Sequence, residues 1–133
     1  MNMSQVVDRW HALAKNHTSE GLHEMLADEV VFHSPVVHSP QEGRAITHAY
    51  LSAAFHVLMN ESFTYVREII GPHDAMLEFK LELEGIHVNG VDIIHWNDDG
   101  KITDFKVMVR PLKAIDVVRN QMAAMLESMA KAG

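Results

Sequence analysis

The chain has 133 residues and a formal net charge of -7. This length fits one domain, spanning residues 1–133, that buries a single core. The acidic balance argues against binding to nucleic-acid phosphates, and the absence of cysteine excludes disulfides, thiol catalysis and cysteine-bound zinc.

The first residues, Met1 to Asp8, lack the basic and then apolar pattern of a signal peptide. No apolar run reaches the length of a membrane span. We therefore predict a cytoplasmic protein that does not bind membranes. The chain also has 10 histidines, whose charge changes between about pH 5 and 8, so a pH-responsive oligomer is a minor hypothesis.

The first half of the chain is predominantly helical in its pattern. Apolar residues recur at helical spacing from Gln5 to Ala14, with Trp10 at the centre of this first helix. A short second helix is capped by Thr18 or Ser19, and the run Val30 to Phe32 has the composition of a strand. After a proline-containing loop, the pattern predicts a third helix from Arg44 to Met59.

In the second half the apolar period changes from helical to two, which is typical of strands. Four strands are predicted, and they are Phe63 to Ile70, Ala75 to Glu84, His87 to Trp96 and Ile102 to Arg110. Pro111 then opens a last helix. Helices that precede a run of strands, rather than alternating with them, predict an α+β fold.

The order of these elements, with the runs Val30 to Gly43 and Val91 to Ile102, resembles the nuclear transport factor 2-like superfamily, and its SnoaL-like branch in particular. The resemblance implies a cone, in which a curved antiparallel sheet wraps around helices and leaves a pocket at its open end. It also implies a homodimer. Members of the superfamily include ketosteroid isomerase, cyclases, dehydratases and non-enzymatic binding domains.

Within this resemblance the isomerase branch allows a residue-by-residue comparison. Asp92 falls on the acid of the oxyanion hole, and Trp10 falls on a tyrosine of the first helix. The general base of the family falls on Ser34, which cannot abstract a proton without a base of its own. Tyr50 fits the place of a further tyrosine, in the third helix.

Asp92 is the candidate catalytic residue, because a carboxylate in an apolar strand is costly and burial raises its pKa. A raised pKa would make it a hydrogen-bonding acid or a general acid/base. The alternative is a solvated acid at a strand edge, or one paired with Lys106 or Arg110.

Other side chains are expected at the pocket. His38 lies in the proline-containing loop near the expected mouth, whereas strand alternation turns His33 to the other face. No histidines have the spacing of a zinc site, so we predict neither a metal nor a cofactor. The apolar and aromatic residues expected to line the pocket, or simply to form the core, are Trp10, Phe32, Tyr50, Phe79, Phe105, Val107 and Val109.

Two functional hypotheses follow. The first is a protein that binds a small apolar carbonyl compound and acts as an isomerase, cyclase or lyase through Asp92, with Ser34, Trp10 and Tyr50 orienting the substrate. The second is a non-catalytic dimeric module that binds a ligand or a protein through the same cone. The outer sheet face, which carries charges of both signs, is either solvated or the surface of a homodimer.

Overall fold

A computed structural model describes residues 3–16 and 18–132 of the chain. Over these residues the chain has four helices and six strands, in the α+β order that the sequence predicts. The helices are α1 (Met3–Lys15), α2 (Leu22–Met25), α3 (Arg44–Leu58) and α4 (Leu112–Ala132). The strands are β1 (Leu26–His33), β2 (Gln41–Glu42), β3 (Thr64–Ile70), β4 (Asp74–Leu83), β5 (Ile86–Trp96) and β6 (Ile102–Arg110).

The six strands form one open sheet in the order β2-β1-β6-β5-β4-β3. The prediction of a wholly antiparallel sheet is wrong in one respect, because β1 pairs with β6 in parallel. The chain can run parallel here because the two strands are far apart in sequence and the helix α3 lies between them. The two-residue strand β2, which the sequence did not predict, pairs with the end of β1.

Strict alternation along β4 and β5 gives the sheet two distinct faces. The inner face of β4 carries Ala75, Leu77, Phe79 and Leu81, all buried, while the side chains between them are exposed or half-buried. On β5 the same alternation buries the side chains from Val88 to Trp96 at every second position. Every second residue of these strands therefore belongs to the core.

The helices cover the inner face and complete the core. Trp10 of α1 is 2% exposed and packs against Phe55 of α3 and Phe105 of β6, with ring centroids 5.2 Å and 4.9 Å away. The last helix, α4, contacts α3 and strands β4, β5 and β6. Within the described ranges, no helix combines the length and the apolar character that crossing a bilayer would need.

Candidate functional site

Asp92 lies at the middle of β5, on the inner face of the sheet. Its neighbours on that face of the strand are Gly90 and Ile94, and its cross-strand partners are Leu77 on β4 and Val107 on β6. The period of two places the carboxyl group inward, where it is only 6% exposed. An acid is therefore held among apolar side chains by the pairing of three strands.

A chain of hydrogen bonds joins three side chains from separate elements at this point. The indole Nε1–H of Trp10 donates to the hydroxyl oxygen of Tyr65 over 2.8 Å. The Tyr65 hydroxyl donates in turn to Oδ2 of Asp92 over 3.2 Å. Because an indole N–H is only a donor, it fills the acceptor position of Tyr65 and directs the phenolic proton towards Asp92. Among the described residues, Oδ1 of Asp92 has no hydrogen-bond partner.

Burial raises the pKa of Asp92 to about 7, while the hydrogen bond from Tyr65 acts in the opposite direction by stabilising the carboxylate. The pKa of Tyr65 is raised well above its usual value, because the phenol is buried and lies beside Asp92. Tyr65 therefore keeps its proton at neutral pH. Asp92, in contrast, exists in both protonation states in the range where most enzymes work.

Asp92 is one of the residues that line a small apolar cavity of about 30 Å³. The other walls come from α1, α3, the turn between α3 and β3, and the inner face of the sheet, and they consist of Trp10, Leu51, Ala54, Phe55, Leu58, Met59, Phe63, Phe79, Phe105 and Val107. Such a space holds a water molecule, whereas pockets for small organic ligands measure roughly 300–1,000 Å³. A ligand can reach Asp92 only if wall side chains move.

Several residues that the sequence singled out lie around this cavity. Trp10, Phe79 and Phe105 line it, together with Val107. Phe32 and Tyr50 form the next layer: their rings are 5.5 Å apart, and Phe32 lies 6.2 Å from Phe105. Trp10 is the one residue of this group that joins the hydrogen-bonded chain at Asp92.

Ser34 and His38 lie in a different place, because the chain leaves the sheet after His33. They line an open depression beside the end of β6, together with Val109. The hydroxyl of Ser34 accepts a hydrogen bond from the backbone N–H of Val36 over 3.1 Å. The structure does not bring Ser34, His38 and Val109 together with the carboxyl group of Asp92.

Tyr65 is the residue that the sequence reasoning missed. It lies on β3, where a register shift between Tyr65 and Arg67 interrupts the alternation and most side chains are exposed. No regular pattern therefore marked its inward direction. The usable signal was chemical: a tyrosine two residues after Phe63, on the same side of an extended chain, needs a partner for its hydroxyl when it is buried.

The alternative in which Asp92 pairs with a basic side chain is wrong. Lys106 lies opposite Ile93, which places it on the outer face of the sheet. Arg110 instead donates to Oδ1 of Asn89 over 3.2 Å. The helices carry histidines that could be metal ligands, and of these His17 lies outside the described residues. Within residues 3–16 and 18–132, no group of three or more candidate ligands is arranged for an ion.

Comparisons with known proteins identify the family. The SnoaL-like domain matches residues 7–105. A steroid delta-isomerase from Pseudomonas aeruginosa is 30% identical and has a TM-score of 0.92, with 98% of this chain and 96% of that chain covered. A conserved protein with a cystatin-like fold from Silicibacter pomeroyi is 29% identical, with a TM-score of 0.88 and coverage of 98% and 92%.

An NTF2-like protein of unknown function from Mesorhizobium loti is 19% identical, with a TM-score of 0.71 and coverage of 82% and 91% of the two chains. At this identity the similarity concerns the fold alone. The curated proteins gave no significant match. The family match spans most of the chain and agrees with the observed fold, so the chain belongs to the SnoaL-like family of NTF2-like proteins.

Proposed function

We propose that the protein binds a small apolar carbonyl compound and acts on it as an isomerase, cyclase or lyase, with Asp92 as the acid. The observation that carries this proposal is a carboxyl group, 6% exposed and with a pKa raised to about 7, that lines an apolar cavity. The similarity to a steroid delta-isomerase supports it, because that protein is by its name an isomerase of steroids, which are small apolar compounds.

Burial favours the neutral acid as the active form, and the direction of the hydrogen bonds decides which oxygen carries the proton. Oδ2 of Asp92 accepts a hydrogen bond from the hydroxyl of Tyr65, whose own acceptor position is filled by Trp10. A proton on Asp92 is then best placed on Oδ1, from which it can be donated into the cavity. There it would polarise a carbonyl oxygen or protonate a leaving oxygen, and Asp92 would recover its proton from the product or from water.

The test uses small cyclic ketones and enones as probes. We expect those that bind to lose affinity as the pH rises through about 7, because the donor is lost when Asp92 ionises. Deuterium exchange next to the carbonyl group, in which solvent water or hydroxide takes the C–H proton while Asp92 donates a hydrogen bond to the carbonyl oxygen, would report catalysis by NMR without knowledge of the natural substrate. Asp92→Asn should remove the pH dependence and slow exchange by at least about a hundredfold. Equal exchange rates in both proteins would contradict the proposal.

A non-catalytic binding module is the second candidate, and two observations favour it. The cavity measures only about 30 Å³, and Ser34, at the position of the family's general base, lies outside the cavity. This candidate predicts that carbonyl probes bind without any deuterium exchange above that in buffer. The same NMR experiment therefore separates the two functions.

We also propose a homodimer through the outer sheet face. A depression of about 430 Å³ on this face is lined by the exposed apolar side chains Ile69, Met76 and Met108, at 62%, 42% and 51% exposure. Arg67 and Glu78 border it with opposite charges. Such a patch with mixed charges at its edge suits a self-complementary contact. Sedimentation should show a dimer that Met108→Glu converts to a monomer, and a monomeric wild-type protein would contradict this.

A further inference from the structure

A second depression adjoins the Asp92 cavity and opens to solvent. This depression, here called the vestibule, has a volume of about 290 Å³ and is lined by His11, Ala14, Lys15, Met59, Asn60, Phe63 and Tyr65. Met59 and Phe63 also line the buried cavity. These two side chains therefore form the partition between the vestibule and the carboxyl group of Asp92.

The partition consists of side chains that can move without unfolding the turn that carries them. Met59 follows the last residue of α3, and methionine has a flexible side chain that adapts to irregular spaces. The turn itself is fixed, because Phe63 N–H donates to the carbonyl oxygen of Asn60 over 3.1 Å, and the Asn60 side chain donates to the carbonyl oxygen of Glu82 over 2.9 Å. Rotation of the side chains, rather than opening of the turn, is the available motion.

Opening the partition would create a site of ligand size. The cavity and the vestibule together reach the lower limit of roughly 300 Å³ that is typical of pockets for small molecules. Tyr65 spans both spaces: its hydroxyl contacts Asp92, and its ring lies edge-on to the ring of His11 with centroids 4.9 Å apart. A ligand lying along Tyr65 would have one end at Asp92 and the other in the vestibule.

The charged groups of the vestibule indicate what the outer end of such a ligand carries. The ring of His11 is paired with Glu68, so the carboxylate of Glu68 is already partnered. Lys15, in contrast, makes no ion pair with any described residue. The two residues that the vestibule shares with the cavity, Met59 and Phe63, are both apolar. An unpaired cation beyond an apolar passage suits an amphipathic anion.

We infer that ligands reach Asp92 from the vestibule by displacing Met59 and Phe63, and that Lys15 selects apolar molecules with an anionic group at their outer end. This inference rests on the proposed function, for which it names the route and the substrate class. The substrate would be an apolar carbonyl compound whose far end carries a carboxylate or another anion.

Two fluorescent probes with the same apolar body test the route and the selection: anilinonaphthalene sulfonate, which is anionic, and phenylnaphthylamine, which is neutral. Met59→Ala should tighten binding of both probes by about tenfold, because the partition is removed. Leu112→Ala, which shortens an exposed apolar side chain at the start of α4, is the matched control and should leave both affinities unchanged. Unchanged affinities in Met59→Ala would overturn the proposed route.

Phe63→Leu opens the partition from its other side and serves if Met59→Ala does not fold. Ala54 lines the Asp92 cavity but not the vestibule. Adding Ala54→Leu to Met59→Ala should therefore fill the cavity and reverse most of the gain in affinity. Persistence of the full gain would show that the probes bind elsewhere, and it would contradict the inference.

The charge selection has its own pair of variants. Lys15→Met should weaken binding of the anionic probe about fivefold and change the affinity of the neutral probe by less than about twofold, as expected for an exposed charge pair. Lys113→Met, at the start of α4, is the control and should change neither. Equal effects of Lys15→Met on both probes would overturn the selection. Neither probe has a carbonyl group, so failure of the acid role of Asp92 would appear only in the ketone experiments.

Discussion

Two carboxylates on neighbouring strands of this sheet have opposite environments. Asp92 on β5 points inward, has one hydrogen bond from an uncharged hydroxyl, and has its pKa raised to about 7 by burial. Glu78 on β4 points outward and accepts hydrogen bonds from Asn89 and Arg67, which lower its pKa. Strand alternation chooses the face on which an acid of this sheet lies, and the face determines whether its pKa is raised by burial or lowered by hydrogen bonds from exposed partners.

The largest expected effect is on the pH dependence of stability. The unfolded pKa of Asp92 is near 3.8 and the folded pKa about 7, so the wild-type protein loses stability as the pH rises between these values. Asp92→Asn has no such ionisation. Between pH 4 and 8, the free energy of unfolding of Asp92→Asn, measured with denaturant, should therefore increase by up to about 4 kcal/mol relative to that of wild type.

Glu78→Gln is the matched control for this experiment, with the opposite sign. The lowered pKa of Glu78 means that its ionised form stabilises the fold above its unfolded pKa, and that this contribution is lost as the pH falls. Relative to wild type, Glu78→Gln should therefore lose stability as the pH rises. If the free energies of unfolding of both variants changed with pH in the same direction relative to wild type, the two faces of the sheet would not have the opposite effects expected.

A second prediction concerns the tight packing around Gly90 on β5. Gly90 lies opposite Phe79, and a Cβ atom at Gly90 would lie 2.8 Å from the carbonyl oxygen of Met108 and would also clash with the Phe79 ring. Gly90→Ala should therefore reduce the free energy of unfolding by about 1–3 kcal/mol.

Gly71→Ala is the control for Gly90→Ala, because the nearest atom to its added Cβ is the carbonyl oxygen of Asp74 at an ordinary 3.5 Å. Its stability should stay within about 0.5 kcal/mol of wild type. Equal stability of the two variants in thermal unfolding would show that the close contact between Phe79 and Gly90 does not restrict the side chain at position 90.

A smaller effect is expected from Tyr65→Phe, which removes the hydrogen bond to Asp92 and leaves the indole N–H of Trp10 without its partner. The pKa of Asp92 should rise further by about one unit, and stability should fall by about 1–2 kcal/mol. Tyr50→Phe, on α3, is the control and should change neither value. NMR titration and denaturant unfolding measure the two effects, and an unchanged pKa in Tyr65→Phe would contradict the hydrogen-bonded chain.

Much of the fold follows from local patterns in the sequence. The alternation from Ala75 to Trp96 predicts two strands and also the inward direction of Asp92. The pairing of β1 with β6 depends on contacts between residues far apart in the chain, so no local pattern indicates that it is parallel. Family membership was accessible through the runs around Asp92 and Ser34, which the match over residues 7–105 includes.

The candidate site was less accessible than the fold. Ser34 was expected at the pocket because it falls on the general base of the family, and His38 because its loop lies near the expected mouth. The direction of a loop is set by tertiary contacts, and the chain places both residues elsewhere. Tyr65 was missed because the register shift of β3 removes the alternation on which an inward assignment depends. The small size of the cavity depends on how side chains from several elements, such as Met59, Phe63 and Val107, pack together, and no sequence pattern encodes that packing.

NMR of the carboxyl carbon of Asp92 across the pH range gives its pKa, and it is the most direct test of Asp92 as an acid that titrates near neutral pH. A buried acid with a single hydrogen bond from Tyr65 should titrate near 7, while Glu78 in the same spectra should titrate below its usual range. A pKa of Asp92 below about 5 would show that the carboxylate is solvated or otherwise stabilised, and it would contradict the assignment of Asp92 as an acid that donates a proton near neutral pH.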